Sequence, residues 1–387
     1  MREIREKPSL LILGVSGGVA GAFLQIFRQY RNNFSEVILL DKDDKILRSG
    51  QIDLVRDKYS FINQDIVLQN IELVLADIKH KHDISIVLDL TDCETFPILQ
   101  AADKLGLSYL NCSLNNGDES MKNFVRDYKS FTQKFKNNAH LLSIGMNPGI
   151  INHLVVRGVL EYGIPKEFVE IEYETGFPEK DVGRPFITWS RKQFLLESVL
   201  SGSGYCGSGG KYVESKSSAI EHPIKTEEFL SPIKKFDSYP LGMIVPHDEI
   251  ISMSRIIEVP GRFVYAIHPV SLSRLREIFN KKGNVVESDI DLLDGVTKKL
   301  IGSDLIGVWL FYDDKKICYF CEVNHKDVSG TNATLFLVAV GVLAALMDFI
   351  SNPLLENGVS FVNELNSKNF QRFVSRYVKI NKIEVKK

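Results

Sequence analysis

The sequence predicts a two-domain α/β protein, with a Rossmann-like, doubly wound parallel sheet first and an α+β domain on a mixed sheet after it. Short apolar runs alternate with helical segments up to residue 148, and strand-like alternation replaces them from Phe168. The chain of 387 residues also exceeds one compact core. We place the domains at 1–148 and 149–330, with a helix at 331–352 that returns to the first domain and a C-terminal segment at 353–387.

The first predicted strand, 10–13, ends in a glycine-rich turn that runs from Gly14 to Gly21 and opens a helix. Glycines let the backbone approach a pyrophosphate, and the free N–H groups at a helix start bind its charge. The second and third glycines of the commonest fingerprint fall on Ser16 and Val19, so a turn that serves packing alone is the alternative. The predicted cofactor-binding residues of this turn are Gly14, Ser16, Gly17, Gly18 and Val19.

An acidic residue follows the second predicted strand. The run 37–40 ends at Asp41, twenty-seven residues after Gly14, where a dinucleotide-binding domain places an acid for the adenosine ribose hydroxyls. A carboxylate repels a 2′-phosphate, so the sequence predicts NAD as the cofactor rather than NADP. Leu90 and Thr91, at the end of the apolar run that starts at Ile84, complete the predicted cofactor-binding set.

Further elements follow in the same alternation. Runs 84–90 and 108–112 predict strands, the spacing over 96–105 predicts a helix, and the polar stretch 115–136 is expected to carry one or two more helices. The turn Gly145–Gly149 marks the domain boundary.

The second domain is predicted from period-two alternation at 169–174, 262–267 and 306–312. Between them, the glycine-serine stretch 201–210 predicts a loop, which is either a lid or a plain mobile connector. Residues 331–350 are apolar nearly all round and predict a buried helix.

Composition argues against several classes of partner. The 47 basic and 49 acidic side chains give a net charge of −2, so no nucleic-acid partner is expected. The apolar run 335–347 is short for a bilayer and the N-terminus lacks an apolar signal core, so we expect a cytoplasmic protein with no membrane partner. The five scattered cysteines predict no disulfide.

No metal site is predicted. Cys318 and Cys321 have Cys-x-x-Cys spacing, but they lie in a predicted strand, where residues three apart point to opposite faces. No second pair at ligand spacing completes a zinc site. His80 and His82 are expected to lie in a solvated turn.

A tryptophan lies among carboxylates in the second domain. Glu172 precedes Trp189, and Glu197 follows it by eight residues. An indole face attracts an ammonium group, and ionised carboxylates hold it through charge-assisted hydrogen bonds. The sequence therefore predicts a site for an organic amine, and the alternative is that Trp189 is a core aromatic residue.

Six short segments, in the same order along the chain, resemble bacterial homospermidine synthase of the saccharopine-dehydrogenase-like oxidoreductases. The segments are Gly145–Gly149, Thr188–Ser190 with Glu197, Val245–Ser252, Tyr265–Pro269, Asp304–Val308, and Asn332–Thr334 with Asn352–Pro353. The resemblance implies NAD in the first domain, a diamine or polyamine substrate between the domains, and a homodimer. It also implies oxidation of putrescine by hydride transfer to NAD, attack of a second putrescine with loss of ammonia, and return of the hydride to give homospermidine.

Residue roles follow from the same resemblance. Trp189 would stabilise the cationic substrate through its ring face, with Glu197 facing the same cavity. Glu172 would anchor an amino group, with Glu174 as the less favoured candidate. His247 would exchange a proton with the amine or imine, or else be structural.

Two asparagines and one histidine need separate interpretation. Asn147 resembles an amide near the nicotinamide and substrate, although it also suits a turn. Asn115 stands where the family carries a glutamate, so this chain lacks one charged anchor for an amine. His268, followed by a proline, is expected to be structural.

Two other functions remain open at this point. One is a saccharopine- or carboxyspermidine-type NAD(P)-dependent dehydrogenase, in which Arg184 or Arg191 would bind a substrate carboxylate. The other is a non-catalytic nucleotide-binding relative that senses polyamines. Net consumption of the nicotinamide cofactor would identify the dehydrogenase.

Overall fold

The computed structural model describes residues 7–67, 69–115, 133–180, 183–295, 299–352, 355–365 and 367–386. The chain divides into two compact units. Of the described residues, those between 7 and 115, 133–149 and Val338–Phe373 form the first unit. Residues 150–337 and 374–386 belong to the second unit.

The first unit is built on a seven-stranded sheet in which every pairing is parallel. Its strands are β1 (Leu10–Leu13), β2 (Val37–Asp41), β3 (Ser60–Asn63), β4 (Ile86–Asp89), β5 (Ser108–Asn111), β6 (Ala139–Leu142) and, near the C-terminus, β19 (Gly358–Phe361). The order β3-β2-β1-β4-β5-β6, with β19 beyond β6, is the doubly wound arrangement. This part of the predicted fold class is confirmed.

Helices connect these parallel strands, and the strands are apolar because both faces of such a sheet are covered. Every residue of β1 is buried. The predicted helix at 96–105 is present at Thr95–Lys104. Most of the helical stretch predicted at 115–136 falls on residues 116–132, which lie outside the described residues. The helices of this part of the chain are Gly18–Phe27, Lys45–Arg48, Leu54–Asp57, Ile71–His82 and Thr95–Lys104, with Ser367–Val374 near the C-terminus.

A mixed sheet forms the core of the second unit, as predicted. Its main path runs β11-β10-β14-β7-β17-β18-β20, with β13 paired to β14 and β12 paired to β13. Strand β7 is parallel to β14 and antiparallel to β17. The strands are β7 (Glu167–Glu174), β10 (Gly202–Cys206), β11 (Tyr212–Ser218), β12 (Ile224–Lys225), β13 (Leu241–Val245), β14 (Gly261–Ala266), β17 (Ser303–Phe311), β18 (Lys315–Asn324) and β20 (Asn381–Lys386).

Four short strands and several helices complete this part of the chain. The short strands are β8 (Phe177–Pro178), which pairs with β16 (Leu300–Ile301), and β9 (Phe186–Ile187), which pairs with β15 (Asp291–Leu292). The helices are Ile150–Tyr162, Arg191–Leu195, Glu227–Leu230, Asp248–Ile257 and Pro269–Lys282. The turn Leu196–Leu200 continues the helix Arg191–Leu195 in a wider π conformation.

The helix Ala333–Ser351 passes from residues of the second unit to residues of the first at Val338. Among the described residues it has the length and mean hydropathy of a membrane span, but 78% of its most apolar window is buried inside the protein. The segment predicted at 353–387 contributes a strand to each sheet, β19 to the first and β20 to the second.

The prediction of a loop at 201–210 was wrong for half of that stretch. Residues 202–206 form β10, which pairs with β11 and β14. A Cβ atom on Gly204 would lie 2.8 Å from the Cβ of Pro246. Glycine therefore serves close packing here, whereas the composition alone had indicated flexibility.

Candidate functional site

Strand β7 has apolar side chains on one face and carboxyl groups on the other. Val169, Ile171 and Tyr173 join an apolar cluster on one face. The alternate residues Glu170, Glu172 and Glu174 point to the other face and are 0%, 4% and 3% exposed. Strand β7 pairs with β14 over residues 168–173 and with β17 over its whole length, so these three buried carboxyl groups lie on an interior strand of the sheet.

The neighbouring strands extend this second face. Phe263 and Tyr265 of β14 lie opposite Glu170 and Glu172, and Asp304 of β17 lies opposite Glu174. Asp304 is fully buried. We call this side of the sheet, with its four carboxyl groups on Glu170, Glu172, Glu174 and Asp304, the acid face.

Tyr265 links Trp189 to the acid face. The indole Nε1 of Trp189 donates to the Tyr265 hydroxyl oxygen at 2.9 Å, and that hydroxyl donates to Oε2 of Glu174 at 2.9 Å. Trp189 itself is half-buried. Trp309, by contrast, is fully buried in the apolar cluster, where its Nε1 donates to the carbonyl of Phe229 at 3.0 Å.

Glu174 is placed to exchange a proton near neutral pH. Burial raises the pKa of its carboxyl to about 7, and hydrogen bonds from Thr188 and Tyr265 hold the pKa below what burial alone would give. Burial, followed by the repulsion of Glu174, raises the pKa of Asp304 well above its usual range. The two neighbouring carboxyl groups therefore do not both ionise freely at neutral pH.

His247 lies between two carboxylates. Its Nε2 is 3.2 Å from Oε2 of Glu197, and its Nδ1 is 2.5 Å from Oε2 of Glu249. Burial alone would lower the pKa of His247, but the charges of Glu249 and Glu197 outweigh burial and raise that pKa well above its usual range. The imidazole is therefore held as a cation that donates from both nitrogens.

Among the described residues, one group of three side chains has the atoms to hold a metal: His247, Asp248 and Glu249. The 2.5 Å between Nδ1 of His247 and Oε2 of Glu249 is a hydrogen-bond distance. Two ligands of one tetrahedral zinc ion would lie about 3.3 Å apart. The geometry favours a proton between these atoms rather than a metal ion.

Glu170 lies beside this histidine cluster. It is fully buried, and neither of its carboxyl oxygens accepts a hydrogen bond within the described residues. Burial, then the charge of Glu249, raises the pKa of Glu170 well above its usual range, while the charge of His247 acts in the opposite direction. Within the described part of the chain, no hydrogen-bond donor stabilises the ionised form of Glu170, although the charge of His247 favours it.

Aromatic rings join the two hydrogen-bonded groups along the acid face. The ring of His247 is 4.6 Å from that of Phe263, which in turn lies 6.4 Å from Tyr265. Tyr265 contacts Trp189 with the ring centroids 6.3 Å apart. The second unit therefore brings together four residues that the sequence predicted as site residues: Trp189, Glu172, Glu197 and His247.

Sequence analysis missed Tyr265, Glu170, Asp304 and Glu249 as members of this site. The signal for Glu170 was the Glu-x-Glu-x-Glu alternation of β7, of which sequence analysis considered only Glu172 and Glu174. Tyr265, Asp304 and Glu249 lie in segments that carried the family resemblance, but nothing in the sequence placed their side chains beside Glu174 or His247.

In the first unit, the glycine turn after β1 is tightly packed. Gly14 has φ 76°, and a Cβ atom there would lie 2.8 Å from Cγ2 of Thr91 and 2.9 Å from the carbonyl oxygen of Leu90. The N-cap residue of the helix Gly18–Phe27 is Gly17, which offers no side-chain cap, and the first turn has no acidic residue. Backbone N–H groups at such a start suit an anion.

Asp41 contacts the same turn. Its Oδ2 accepts from the backbone N–H of Ser16 at 2.9 Å, and its Oδ1 accepts from the N–H of Asp43 at 2.9 Å. Each carboxylate oxygen has a further lone pair for a ribose hydroxyl. Gly14, Ser16 and Asp41 therefore form one constellation whose donors and acceptors fit a dinucleotide.

The two asparagines also lie in the first unit. Asn147 is half-buried in the turn Gly145–Gly149, before a cis bond to Pro148. Asn115 is buried, and its amide donates to the carbonyl of Asp92 at 2.5 Å. The side-chain amide of Asn115 thus ties two loop segments together.

Both arginines near Trp189 contact a neighbouring segment. Arg184 lies 3.2 Å from Asp291, and Arg191 lies 3.9 Å from Glu287.

His268 accepts a hydrogen bond from the N–H of Val270 at 3.3 Å and so caps the helix Pro269–Lys282. Cys318 and Cys321 are buried in β18, one in the apolar cluster and the other opposite Ile306, which lies on the acid face.

Comparison with known proteins identifies the fold. No protein-family model matches the chain, and no curated protein matches its sequence. The crystal structure of the homospermidine synthase from Legionella pneumophila in complex with NAD is similar, with a TM-score of 0.79 and 15% identity. The match covers 98% of this chain and 92% of that chain. At this identity, the likeness establishes the shared two-part fold.

Two other solved structures are more distant. An amine dehydrogenase from Mycobacterium smegmatis matches 94% of this chain and 97% of its own, with a TM-score of 0.42 and 8% identity. A short-chain type dehydrogenase/reductase from Mycobacterium marinum matches 28% of this chain and 56% of its own, with a TM-score of 0.22 and 16% identity.

Proposed function

We propose that this chain is an NAD-dependent enzyme of the homospermidine synthase type, which joins two molecules of putrescine to give homospermidine and ammonia. The observation that carries the proposal is the acid face, where four buried carboxyl groups lie next to a half-buried indole. The fold shared with a homospermidine synthase over 98% of the chain supports it.

The charges of the site favour a cationic substrate. Glu197 and Glu249 add two carboxyl groups to the four of the acid face. The imidazole of His247 carries the opposite charge. Burying unpaired carboxylates is costly, so the site gains most from a ligand that brings positive charge and several N–H donors. A protonated diamine supplies both, and Trp189 offers a ring face for its cation.

The first unit provides the residues for NAD. The uncapped start of the helix Gly18–Phe27 would hold the pyrophosphate, and Asp41 would accept hydrogen bonds from the adenosine ribose. Bound in this way, NAD would supply a reversible hydride acceptor for the substrate carbon, so the overall reaction would involve no net oxidation.

Proton transfers are assigned to the chain's own residues. As the carbon beside the amino group loses a hydride, the nitrogen loses a proton, which Glu174 accepts near neutral pH. The amine of the second putrescine adds to the resulting imine carbon, and its surplus proton passes to the departing nitrogen. His247, protonated between two carboxylates, can assist that departure as ammonia is released. The new carbon–nitrogen double bond then takes back the hydride and one proton, and homospermidine is complete.

The carboxylate-binding alternative has less support. A dehydrogenase for amino acids joined through nitrogen would need a cation for the substrate carboxylate. Arg184 and Arg191 are the nearest candidates along the chain, and both are directed at acids of the segment 287–291.

The test is incubation of the full chain with NAD and isotopically labelled putrescine, followed by mass analysis. We expect homospermidine and ammonia in equal amounts, without net formation of NADH. Trp189→Ala should keep NAD and lose at least about 100-fold in turnover, whereas the matched variant Trp309→Phe should keep both. Accumulation of NADH without homospermidine would replace the proposal with an ordinary dehydrogenase. Bound NAD with no product from any diamine would indicate a non-catalytic relative.

A further inference from the structure

We propose that Tyr265 is a positioning residue, whose single hydroxyl fixes the indole of Trp189 and the proton-accepting carboxylate of Glu174 relative to each other. This inference rests on the proposed function, because it assigns a role within the same site. Tyr265 is 2% exposed and lies on β14, directly opposite Glu172 of β7.

The direction of the two hydrogen bonds follows from the chemistry of the groups. An indole N–H only donates, so the Tyr265 oxygen must accept from Trp189. The hydroxyl has one proton, and that proton then points to Oε2 of Glu174 at 2.9 Å. The chain Trp189 to Tyr265 to Glu174 therefore has one polarity, and it favours Glu174 as an ionised acceptor.

Packing keeps the phenol ring in place. Phe194 and Trp189 contact it edge-on, with centroids 6.3 Å away and interplanar angles of 70° and 67°. Phe263 lies parallel to it, at 6.4 Å and 22°. Since the ring is held on several sides, movement of the indole has to break the hydrogen bond to the hydroxyl.

The groups around Glu174 leave its pKa dependent on the hydrogen bond from Tyr265. The titratable groups that face Glu174 are Glu172 on its own strand, Tyr265 on β14, Asp304 on β17 and His325 after β18. Gly176 lies beside both Glu174 and His325. Burial lowers the pKa of His325 to about 4, so this histidine brings no positive charge at neutral pH. Among the described residues, the side chains of Thr188 and Tyr265 are the donors that stabilise the ionised form of Glu174.

The decisive variant is Tyr265→Phe in the full chain with NAD, because it removes the hydroxyl and keeps the ring. We expect kcat to fall by about 10- to 100-fold with a smaller change in KM for putrescine. The acidic limb of the kcat/KM profile should move upward by about one pH unit, since Glu174 loses a donor to its ionised form. Tyr173→Phe, which removes a hydroxyl from the opposite face of the adjacent strand, is the matched control and should leave the profile unchanged.

A second measurement does not depend on turnover. In a Trp309→Phe background, Trp189 is the remaining tryptophan, and its emission should shift as Glu174 titrates near pH 7. Tyr265→Phe should abolish that shift. If Tyr265→Phe does not fold, Glu174→Gln serves instead, because it keeps the hydroxyl and removes the titrating group, so the emission should become independent of pH in this range.

The outcomes separate this inference from the proposed function. An unchanged pH profile and an unchanged emission titration in Tyr265→Phe would overturn the positioning role even if activity falls. An absence of homospermidine from the wild-type chain, together with the expected emission titration, would overturn the proposed function and leave the coupling of Trp189 to Glu174 in place.

Discussion

The two faces of the second sheet share a backbone and differ in what they contribute. On the apolar face, Val169, Ile171 and Trp309 are buried against other apolar side chains. On the acid face, Glu170 and Asp304 are buried to the same degree, with pKa values raised because burial opposes their charge. The first face stabilises the fold, whereas the second lowers the stability of the folded chain because its acids are buried.

The largest expected effect on stability comes from placing a carboxyl group on the apolar face. Ile171→Glu puts an unpartnered carboxyl into the apolar cluster, and we expect the free energy of unfolding to fall by more than about 4 kcal/mol. Urea denaturation followed by far-ultraviolet circular dichroism measures it. Ile171→Val is the control, with a loss of about 0.5–1.5 kcal/mol. A loss below about 1 kcal/mol for Ile171→Glu would mean that this face tolerates charge and that the comparison fails.

The two tryptophans sharpen the same contrast. Trp309→Ala should lower the free energy of unfolding by about 3–5 kcal/mol, since the ring is fully buried. Trp189→Ala should cost about 1 kcal/mol, because the ring is half-buried and its main polar contact is one hydrogen bond. Equal losses in chemical denaturation would place Trp189 among the packing residues.

The pH dependence of stability should follow the acid face. Glu174 has a pKa of about 7 in the folded chain against 4.5 as its ordinary value, so the folded state keeps a proton that the unfolded state has lost. The free energy of unfolding should therefore fall by up to about 3 kcal/mol as the pH rises from 4.5 to 7. The raised pKa of His247 acts with the same sign, because its stabilisation is complete below 6.5 and is lost at higher pH.

Thermal unfolding at pH 5.5, 7 and 8.5 measures this dependence, and we expect the highest transition temperature at pH 5.5. Glu174→Gln should flatten the curve between pH 4.5 and 7. Stability that rises steadily over this range in the wild-type chain would contradict the assignment of buried, raised-pKa acids.

The effect expected of Glu170→Gln is modest and depends on pH. Because burial raises the pKa of Glu170, its carboxyl opposes folding more as the pH rises, so at pH 8.5 the variant with a neutral amide should be more stable than the wild type by about 1–2 kcal/mol. At pH 5, close to the ordinary pKa of a glutamate, most of this difference should vanish, and the two should differ by less than about 1 kcal/mol. Denaturation at both pH values tests the difference, and a destabilised variant at pH 8.5 would show that Glu170 has a stabilising partner.

Much of the fold was predictable because it follows from period and turn chemistry. The apolar runs gave the strands of the parallel sheet, and Gly14, Asp41 and Thr91 converge in the structure as strand ends of a doubly wound sheet do. The glycine-serine stretch was misjudged, since composition does not reveal that Gly204 faces a close neighbour.

The site was only partly predictable. Sequence analysis proposed Trp189, Glu197 and His247, whereas alternating glutamates usually indicate an exposed sheet face. The burial of Glu170 and Glu174 depends on pairing partners and cover that lie far away in sequence. The bond from Tyr265 to Glu174 spans 91 residues, and no local pattern announces it.

The alternation of β7 has a consequence for how the chain avoids wrong structures. A slip of one residue against β14 and β17 would turn three carboxyl groups into the apolar cluster and expose three apolar side chains to the acid face. Such a misaligned strand would lose stability on both faces of the sheet. The three glutamates that lower the stability of the folded chain therefore also disfavour misaligned pairings of β7 during folding. A uniformly apolar strand would tolerate the same misaligned pairings.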